Sequence, residues 1–134
     1  MGRMTFINLP VRDLAASTAF FTAVGFAFDP VFTDGNATRM ILGDDSSAML
    51  MTEAFFGAFV APQDVADTEA SREVIVGLSA ESRAEVDDLT ERAIAAGARS
   101  LGDPRDQGFM YMRGFRDLDG HQWSFIHMDM SALA

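Results

Sequence analysis

The chain contains no cysteine, and its ten lysine and arginine residues are outnumbered by twenty aspartate and glutamate residues. Without cysteine there is no disulfide, no thiolate metal ligand and no cysteine nucleophile. The formal net charge of −10 excludes the basic surface with which proteins displace counterions from a nucleic acid. We therefore expect no nucleic-acid partner, and we interpret most of the carboxylates as a solvated surface.

Long apolar runs are also missing, since no stretch approaches the roughly 20 residues that a membrane-spanning helix needs. The first residues lead directly into a predicted strand and give no sign of a secretory leader, and Phe6 stands where a myristoylation signal requires serine or threonine. The sequence therefore predicts a cytoplasmic protein without a membrane partner. Its 134 residues, 49% of them hydrophobic, are enough for a single domain with its own core.

One strand–helix–strand plan occurs twice along the chain. In the first copy an apolar strand at 4–9 precedes a helix that Asp13 caps and that ends before Gly25. Turn residues then separate three short predicted strands, and an aromatic segment follows that we interpret as a short helix or loop. These strands lie at 27–33, 38–42 and 48–52, and the aromatic segment at 53–60.

The second copy begins after a polar, acidic linker at about 61–71, so that the modules cover about 1–60 and 72–134. A strand at 74–78 precedes a helix, where Ser82 and Glu85 form a capping-box pattern. The apolar spacing of this helix predicts a buried stripe made of Val86, Leu89, Ala93 and Ile94. Further strands are predicted at 99–101, 109–115 and 122–128, the last two joined by an Asp-Gly turn.

The order and spacing of these motifs resemble the vicinal oxygen chelate superfamily, which includes glyoxalase I, extradiol dioxygenases and bleomycin-resistance proteins. The resemblance rests on the segment 8–14, on Phe20-Phe21 and Gly25, and on the turn at 117–121. The segments 108–111 and 119–123 further resemble the branch of predicted lactoylglutathione lyases. This resemblance implies an α+β fold of paired βαβββ modules, in which two curled mixed sheets form a cleft and the helices lie outside.

Enzymes of this superfamily hold a divalent metal with histidine and glutamate side chains from the cleft strands. By the resemblance, these ligand positions fall on Phe6, on Glu73 or Val74, on Ser124, and near 49–51. Phenyl, hydroxyl, thioether and aliphatic groups are poor ligands for hard divalent cations. We therefore expect no metal cofactor, and Glu73 is the one weak candidate for a catalytic residue.

The two histidines do not repair this ligand set. His121 and His127 lie about 20 Å apart along an extended strand, too far to reach one ion. Alternation places both on the face opposite Ser124, so we interpret His121 as a turn residue and His127 as a structural histidine. Tyr111 and Arg113 share a face, and we hypothesise that they supply a polar end to the cleft.

The sequence favours a protein that binds a small molecule in the cleft without turning it over. The residues predicted to line the cleft are Phe6, Asn8, Glu73, Met110, Met112 and Ser124, and the acidic composition favours a cationic guest. Two alternatives stay open: an enzyme, or a protein that works mainly through a dimer surface. The enzyme would be a glyoxalase-like lyase, isomerase or dioxygenase with non-standard metal ligands, or a metal-free catalyst that uses Glu73. A homodimer is implied by the resemblance, with the aromatic residues Phe55, Phe56 and Phe59 at its interface.

Overall fold

The computed structural model describes residues 2–133, in which the strand–helix–strand plan occurs twice, as the sequence predicts. The chain divides into two units, Met1–Asp67 and Thr68–Ala134. The division falls within the segment 61–71 that the sequence suggests as a linker. Each unit contains one mixed sheet with a helix on one face, which is an α+β arrangement.

The first unit has a four-stranded sheet in the order β1-β4-β3-β2, in which β1 runs parallel to β4 and the other pairs are antiparallel. Pro10 lies within β1, which is an edge strand and therefore tolerates the missing backbone donor. The elements of this unit are β1 (Thr5–Val11), α1 (Leu14–Val24), β2 (Ala27–Asp29), β3 (Ala37–Gly43), β4 (Ser46–Thr52) and α2 (Glu53–Val60).

Local sequence signals set the ends of these elements. Asp13 accepts a hydrogen bond from the backbone N–H of Ala16 at 3.0 Å and begins α1, as predicted. Gly25 ends this helix with φ of 124°, a conformation that favours glycine. The strand predicted at 27–33 is too long, because β2 ends at Asp29, where Pro30 begins a short 3₁₀ turn.

The second unit repeats the arrangement with the strand order β5-β9-β8-β6, and β5 runs parallel to β9. The sequence did not predict β7, a two-residue strand that pairs with β8. Such a short segment carries no detectable periodicity, and only its neighbour makes it a strand. The elements of this unit are β5 (Ile75–Ser79), α3 (Arg83–Ala95), β6 (Arg99–Ser100), β7 (Arg105–Asp106), β8 (Met110–Arg116) and β9 (Gln122–Met128).

The start of α3 follows the capping-box prediction with one change. Ser82 accepts a hydrogen bond from the backbone N–H of Glu85 at 3.0 Å, but the carboxylate of Glu85 accepts from Glu81 instead of Ser82. The predicted buried stripe is also incomplete, because Thr90 is fully buried and Leu89 only partly. The hydroxyl of Thr90 donates to the Val86 carbonyl at 2.7 Å, which offsets the cost of burying it.

Each unit has an apolar core between its long helix and its sheet. In the first unit the buried residues of α1 include Phe20, Phe21 and Val24. In the second unit Trp123 and Phe125 occupy the face of β9 that packs against α3. Because side chains alternate along a strand, Ser124 between them lies on the opposite face of the sheet.

The helices are short. They contain 11, 8 and 13 residues in chain order, whereas an α-helix needs roughly 20 apolar residues to cross a bilayer. None of the helices within residues 2–133 is long and apolar enough to span a membrane.

Candidate ligand-binding site

A cavity of about 450 Å³ lies in the second unit and is lined only by residues of that unit. Its apolar walls come from Ile75, Leu101 and Met112. Polar residues complete the lining, and they are Asp103, Arg105, Arg113, Gln122 and Ser124. Gly114 also lines the cavity. Binding pockets for small molecules typically have volumes of about 300–1,000 Å³ and combine apolar walls with a few polar groups.

The floor of the cavity is a row of small residues across three neighbouring strands. Ser124 on β9 pairs with Gly77 on β5 and with Gly114 on β8. A Cβ atom at Gly77 would lie 3.5 Å from the Ser124 hydroxyl, and one at Gly114 would lie 3.3 Å from a methyl group of Leu101. The two glycines therefore leave open the space beside the serine that larger residues would fill.

The hydroxyl of Ser124 is the polar group at the centre of this floor. The residue is only 6% exposed, and among residues 2–133 its side chain has no hydrogen-bond partner. The Ser124 hydroxyl is therefore available to hydrogen-bond with a bound molecule.

The polar walls differ in how their side chains are engaged. Within residues 2–133, Asp103, Arg105 and Gln122 have no side-chain hydrogen bond or ion pair. The guanidinium of Arg113, in contrast, donates to Asp87 at 3.3 Å and to Glu91 at 2.8 Å on α3. The charge of Arg113 is thus compensated on the helix side of the sheet, and that of Arg105 is not.

Of the two residues hypothesised to form a polar end of the cleft, Arg113 is among the cavity-lining residues and Tyr111 is not. Both share a face of β8, as predicted, but this face packs against α3. The hydroxyl of Tyr111 donates to Asp87 at 2.7 Å, and this hydrogen bond raises the pKa of Tyr111. Strand alternation points these two side chains away from Ser124 and towards α3. Their bonds to Asp87 and Glu91 connect β8 to this helix.

The turn at 117–121 has a structural role next to the cavity. One carboxylate oxygen of Asp117 accepts hydrogen bonds from the backbone N–H groups of Asp119 and His121 at 2.9 and 3.0 Å. The other accepts from the Trp123 indole N–H at 2.9 Å, and burial raises the pKa of Asp117. As predicted, His121 lies in this turn. On β9, Nδ1 of His127 lies 3.1 Å from the Ala80 carbonyl oxygen. The turn therefore fixes the start of β9 and the position of Ser124.

In the first unit the face of the sheet away from α1 carries an arginine that sequence reasoning missed. The guanidinium carbon of Arg39 lies 5.6 Å from the ring centre of Phe6 and 5.4 Å from that of Phe32. Arg39 donates to the Ser47 hydroxyl at 2.8 Å and to the Asp29 carboxylate at 3.3 Å. A lone charged residue in a predicted apolar strand was the signal that could have marked it.

A second cavity, of about 680 Å³, lies beside α1 and is predominantly apolar. None of the predicted site residues lines it. Its threonine hydroxyls are engaged within the protein, since Thr18 donates to the Leu14 carbonyl and Thr33 and Thr38 bond to each other at 2.8 Å. It has no charged lining residue to orient a ligand, so the cavity over Ser124 is the better candidate site.

Comparisons with known proteins agree with this fold. A family model described as bleomycin resistance protein-like N-terminal matches residues 3–43. The structure of the hypothetical protein SA1046 from S. aureus is 28% identical with a TM-score of 0.80, and the match covers 95% of this chain and 94% of that chain. A glyoxalase/bleomycin resistance protein/dioxygenase family enzyme from Burkholderia phytofirmans PsJN is 18% identical with a TM-score of 0.76, covering 95% and 99% of the two chains. The chain therefore has the fold of the glyoxalase/bleomycin resistance protein/dioxygenase structures that it resembles.

A further solved structure with this fold is lactoylglutathione lyase from Agrobacterium tumefaciens. It is 18% identical with a TM-score of 0.69, and the match covers 97% of this chain and 96% of that chain. No curated protein matches the sequence significantly. At such low identity the likeness establishes the fold alone, because one fold supports many activities.

The positions that carry metal ligands in superfamily enzymes do not form a cation site suited to this chemistry. Phe6 faces the positively charged Arg39, and Ser124 contributes one neutral hydroxyl. The segment near 49–51 offers thioether and aliphatic groups, which hard divalent cations bind poorly. Within residues 2–133, no three histidine, aspartate or glutamate side chains come together where they could hold a metal ion. The side chains present therefore do not fit the metal of the superfamily.

The structure brings only part of the predicted ligand set together. Met112 and Ser124 line the cavity, and Met110 lies on the same face of β8 but outside the lining. Glu73 and Val74, the two candidates for the ligand position of the second copy, lie before the strand, because β5 begins at Ile75. Glu73 is exposed and does not line the cavity. Phe6 and Asn8 lie on β1 of the first unit. The sequence did not predict the other lining residues, which are Ile75, Gly114 and Gln122 on the strands and Leu101, Asp103 and Arg105 beside β8.

Proposed function

We propose that this protein binds a small organic molecule on the second sheet without the help of a metal ion. The observation that carries the proposal is the cavity of about 450 Å³ with Ser124 at its floor, whose hydroxyl has no hydrogen-bond partner within residues 2–133. Two of the residues predicted to contact a ligand, Met112 and Ser124, support it from the sequence side. Binding without a metal agrees with the chemistry of the side chains at the superfamily's ligand positions.

The composition of the cavity suits a molecule that is partly apolar and partly polar. Ile75, Leu101 and Met112 would remove apolar surface of the ligand from water, which favours binding. Methionine is flexible and polarisable, so Met112 adapts to ligands of different shape. The hydroxyl of Ser124 and the amide of Gln122 would orient the polar end of the ligand through hydrogen bonds.

A ligand screen on tag-free protein tests this proposal. The metal content of the protein as purified is measured by mass spectrometry, the protein is then treated with EDTA, and a library of small acids, amines and zwitterions is screened by thermal shift. Each hit is then tested with Ser124→Leu, whose side chain would fill the cavity, and with Ser71→Leu at an exposed position of the same unit. We expect the shift to be lost in the first variant and kept in the second.

Two results would contradict the proposal. Hits that bind both variants equally would place binding elsewhere, and stoichiometric metal in tag-free protein would show that the true ligands had been missed. The hit recovered after incubation is also analysed chemically, because conversion to product would favour the enzyme alternative. Within residues 2–133 no observation favours a lyase or dioxygenase with non-standard ligands, and the exposed Glu73 lies outside the cavity lining.

We also propose a homodimer whose interface includes α2. This helix has no fully buried residue, and Phe59 on its surface is 68% exposed. Phe55 packs edge-to-face against Phe59 with ring centres 5.2 Å apart, which makes a continuous aromatic surface. Such a surface is more typical of a protein contact than of a solvated helix. A cytoplasmic location stays a prediction from the sequence.

Sedimentation velocity tests the dimer. We expect wild-type protein to sediment as a dimer and Phe59→Glu as a folded monomer, because a buried unpaired carboxylate opposes association. Val31→Glu is the matched control, since Val31 is 80% exposed and lies outside α2. Monomeric wild-type protein would contradict the dimer, and a dimeric Phe59→Glu variant would contradict the interface.

A further inference from the structure

We infer that the cavity over Ser124 binds a zwitterionic, amino-acid-like molecule with an apolar side chain. This inference rests on the proposed function, because it names the class of ligand for the same cavity. It follows from three features found together: one uncompensated cation, one uncompensated carboxylate, and an apolar wall. None of these features belongs to the metal-ligand pattern of the superfamily.

The two charges of the cavity are carried by Arg105 and Asp103. They form no ion pair with each other, and neither has another side-chain partner within residues 2–133. The third charged lining residue, Arg113, is already compensated by Asp87 and Glu91. The cavity therefore offers a ligand one guanidinium and one carboxylate that other side chains do not satisfy.

A ligand with a single charge satisfies only half of this arrangement. A simple anion would pair with Arg105 but would approach a carboxylate on a protein of net charge −10. A simple cation would pair with Asp103 and would leave the guanidinium of Arg105 without a partner in the cavity. A zwitterion pairs with both groups and adds no net charge to the site.

The donors of the cavity indicate how the ligand is oriented. Its carboxylate would accept hydrogen bonds from Arg105, whose planar guanidinium matches the two oxygens of a carboxylate. The hydroxyl of Ser124 at the floor and the amide of Gln122 are further donors. Its ammonium would donate to Asp103.

The remaining wall explains the apolar side chain of the ligand. Ile75, Leu101 and Met112 present aliphatic and thioether surface to the same cavity. A ligand side chain of methionine or phenylalanine size would cover this surface, and the volume of about 450 Å³ is sufficient for such a molecule. Small polar amino acids would leave the apolar wall in contact with water and should bind more weakly.

Titration calorimetry with matched ligands tests the inference. The probes are L-phenylalanine and L-methionine, the amide of each (which lacks the carboxylate) and the N-acetyl form of each (which lacks the ammonium). We expect a free amino acid to bind at least about tenfold more tightly than either of its derivatives, which corresponds to about 1.4 kcal/mol. Equal binding of either derivative would overturn the zwitterion inference.

Charge-neutral variants assign each contact. Arg105→Gln should weaken binding of the free amino acid by about tenfold and should abolish its advantage over the amide. Asp103→Asn should abolish its advantage over the N-acetyl form in the same way. Arg92→Gln, on the exposed surface of α3, is the control and should bind like wild type. All three positions are exposed, so the variants should fold normally.

The outcomes separate this inference from the proposed function. If no amino acid binds, but a hit from the screen is still blocked by Ser124→Leu, then the cavity binds a ligand and the zwitterion inference is wrong. If neither amino acids nor library compounds bind the folded protein, the proposed function fails together with the inference. Binding of amino acids that Arg105→Gln and Asp103→Asn leave unchanged would also overturn the inference.

Discussion

Two buried serines show how differently the two units use the same fold. Ser47 lies on β4 of the first sheet and is 1% exposed. Ser124 lies on β9 of the second sheet and is 6% exposed. The hydroxyl of Ser47 accepts a hydrogen bond from Arg39, whereas that of Ser124 has no partner within residues 2–133. The repeated backbone therefore carries a hydrogen-bonded serine in one unit and a serine that lines a cavity in the other.

The difference arises from the residues on the neighbouring strands. In the first unit the long side chain of Arg39 covers Ser47 and lies between two phenyl rings. In the second unit Gly77 and Gly114 flank Ser124 and have no side chain to cover it. The same contrast divides the arginines, because Arg39 is held by four neighbours while Arg105 is exposed and unpaired within residues 2–133. We conclude that Arg39 contributes to the stability of the first unit, whereas Arg105 makes no comparable contact in the second.

The largest expected difference in stability is between substitutions of Arg39 and Arg105. Arg39→Ala should lower the free energy of unfolding by about 2–4 kcal/mol, because it leaves Asp29 and Ser47 without their partner and removes two cation–π contacts. Arg105→Ala should change it by less than about 0.5 kcal/mol, since no contact within the protein is lost. Urea unfolding followed by circular dichroism measures both. Equal effects of the two substitutions would contradict the division of roles.

The two serines give the next effect. Ser47→Ala should cost about 1–2 kcal/mol, because it leaves the Arg39 side-chain N–H without an acceptor in a largely buried position. Ser124→Ala should stay within about 0.5 kcal/mol of wild type, because no intramolecular hydrogen bond is broken. The same urea experiment compares them. A large loss in Ser124→Ala would mean that its hydroxyl has a structural partner after all.

A glycine substitution sharpens the comparison at the cavity floor. In Gly77→Ala the new Cβ would lie 3.5 Å from the Ser124 hydroxyl and 3.2 Å from a terminal methyl of Ile126, which can move aside. Stability should change by less than about 1 kcal/mol, because lower chain entropy in the unfolded state offsets this contact. Binding of the ligand found by the screen should weaken several-fold in calorimetry. Gly35→Ala in the first unit, with nothing within 4 Å of its new Cβ, is the control and should bind normally.

The smallest effect concerns ion pairs. The Asp29–Arg39 pair of the first unit is largely buried, whereas the Arg83 and Asp106 side chains of the second are 44% and 51% exposed. The hydrogen bond from Arg83 lowers the pKa of Asp106 to about 2. Because this pKa is lower in the folded state, the ionised carboxylate stabilises the fold above its unfolded pKa of about 3.9 and loses this effect as the pH falls towards 2.

Asp106→Asn tests this dependence. Urea midpoints at pH 6 and pH 3 should differ less in the variant than in wild-type protein, by a small amount because the pair is exposed. The effect of pH on Asp117 has the opposite sign, because burial raises the pKa of its carboxyl group. Its contribution to stability is present at low pH and is lost as the pH rises through the pKa of the folded state. Asp117 is present in both proteins, so the difference between them isolates Asp106. An identical pH dependence in the two proteins would contradict the prediction.

Local signals in the sequence were sufficient for most of the fold. Asp13, Gly25 and Ser82 set helix ends through bonds to residues at most four positions away, and the structure has these caps. The alternation around Trp123 and Phe125 placed Ser124 on the opposite face, because side chains of a strand alternate whatever its neighbours are. Leu89 and Thr90 show the limit, since their relative burial depends on how α3 rotates against the sheet.

The candidate site was less predictable than the fold. Of the residues predicted to line a cleft, Met112 and Ser124 line this cavity, whereas Glu73 and Met110 lie outside its lining. Tyr111 and Arg113 were placed correctly on one face, yet the sequence could not tell that α3 offers them carboxylate partners. Arg105 had no signal at all, because it lies in a two-residue strand defined by its pairing with β8.

The sequence by itself determined the duplicated α+β plan and the helix caps, because each depends on residue type and short-range spacing. The tertiary structure alone decided which polar groups are engaged. Ser47 meets Arg39 eight residues away across paired strands, and Arg113 meets Glu91 on α3, 22 residues away. Ser124 meets only glycines across the sheet, 47 residues before it and ten residues before it. Strand register and helix packing bring such partners together. Because the partners are far apart in the chain, local sequence patterns do not predict these contacts.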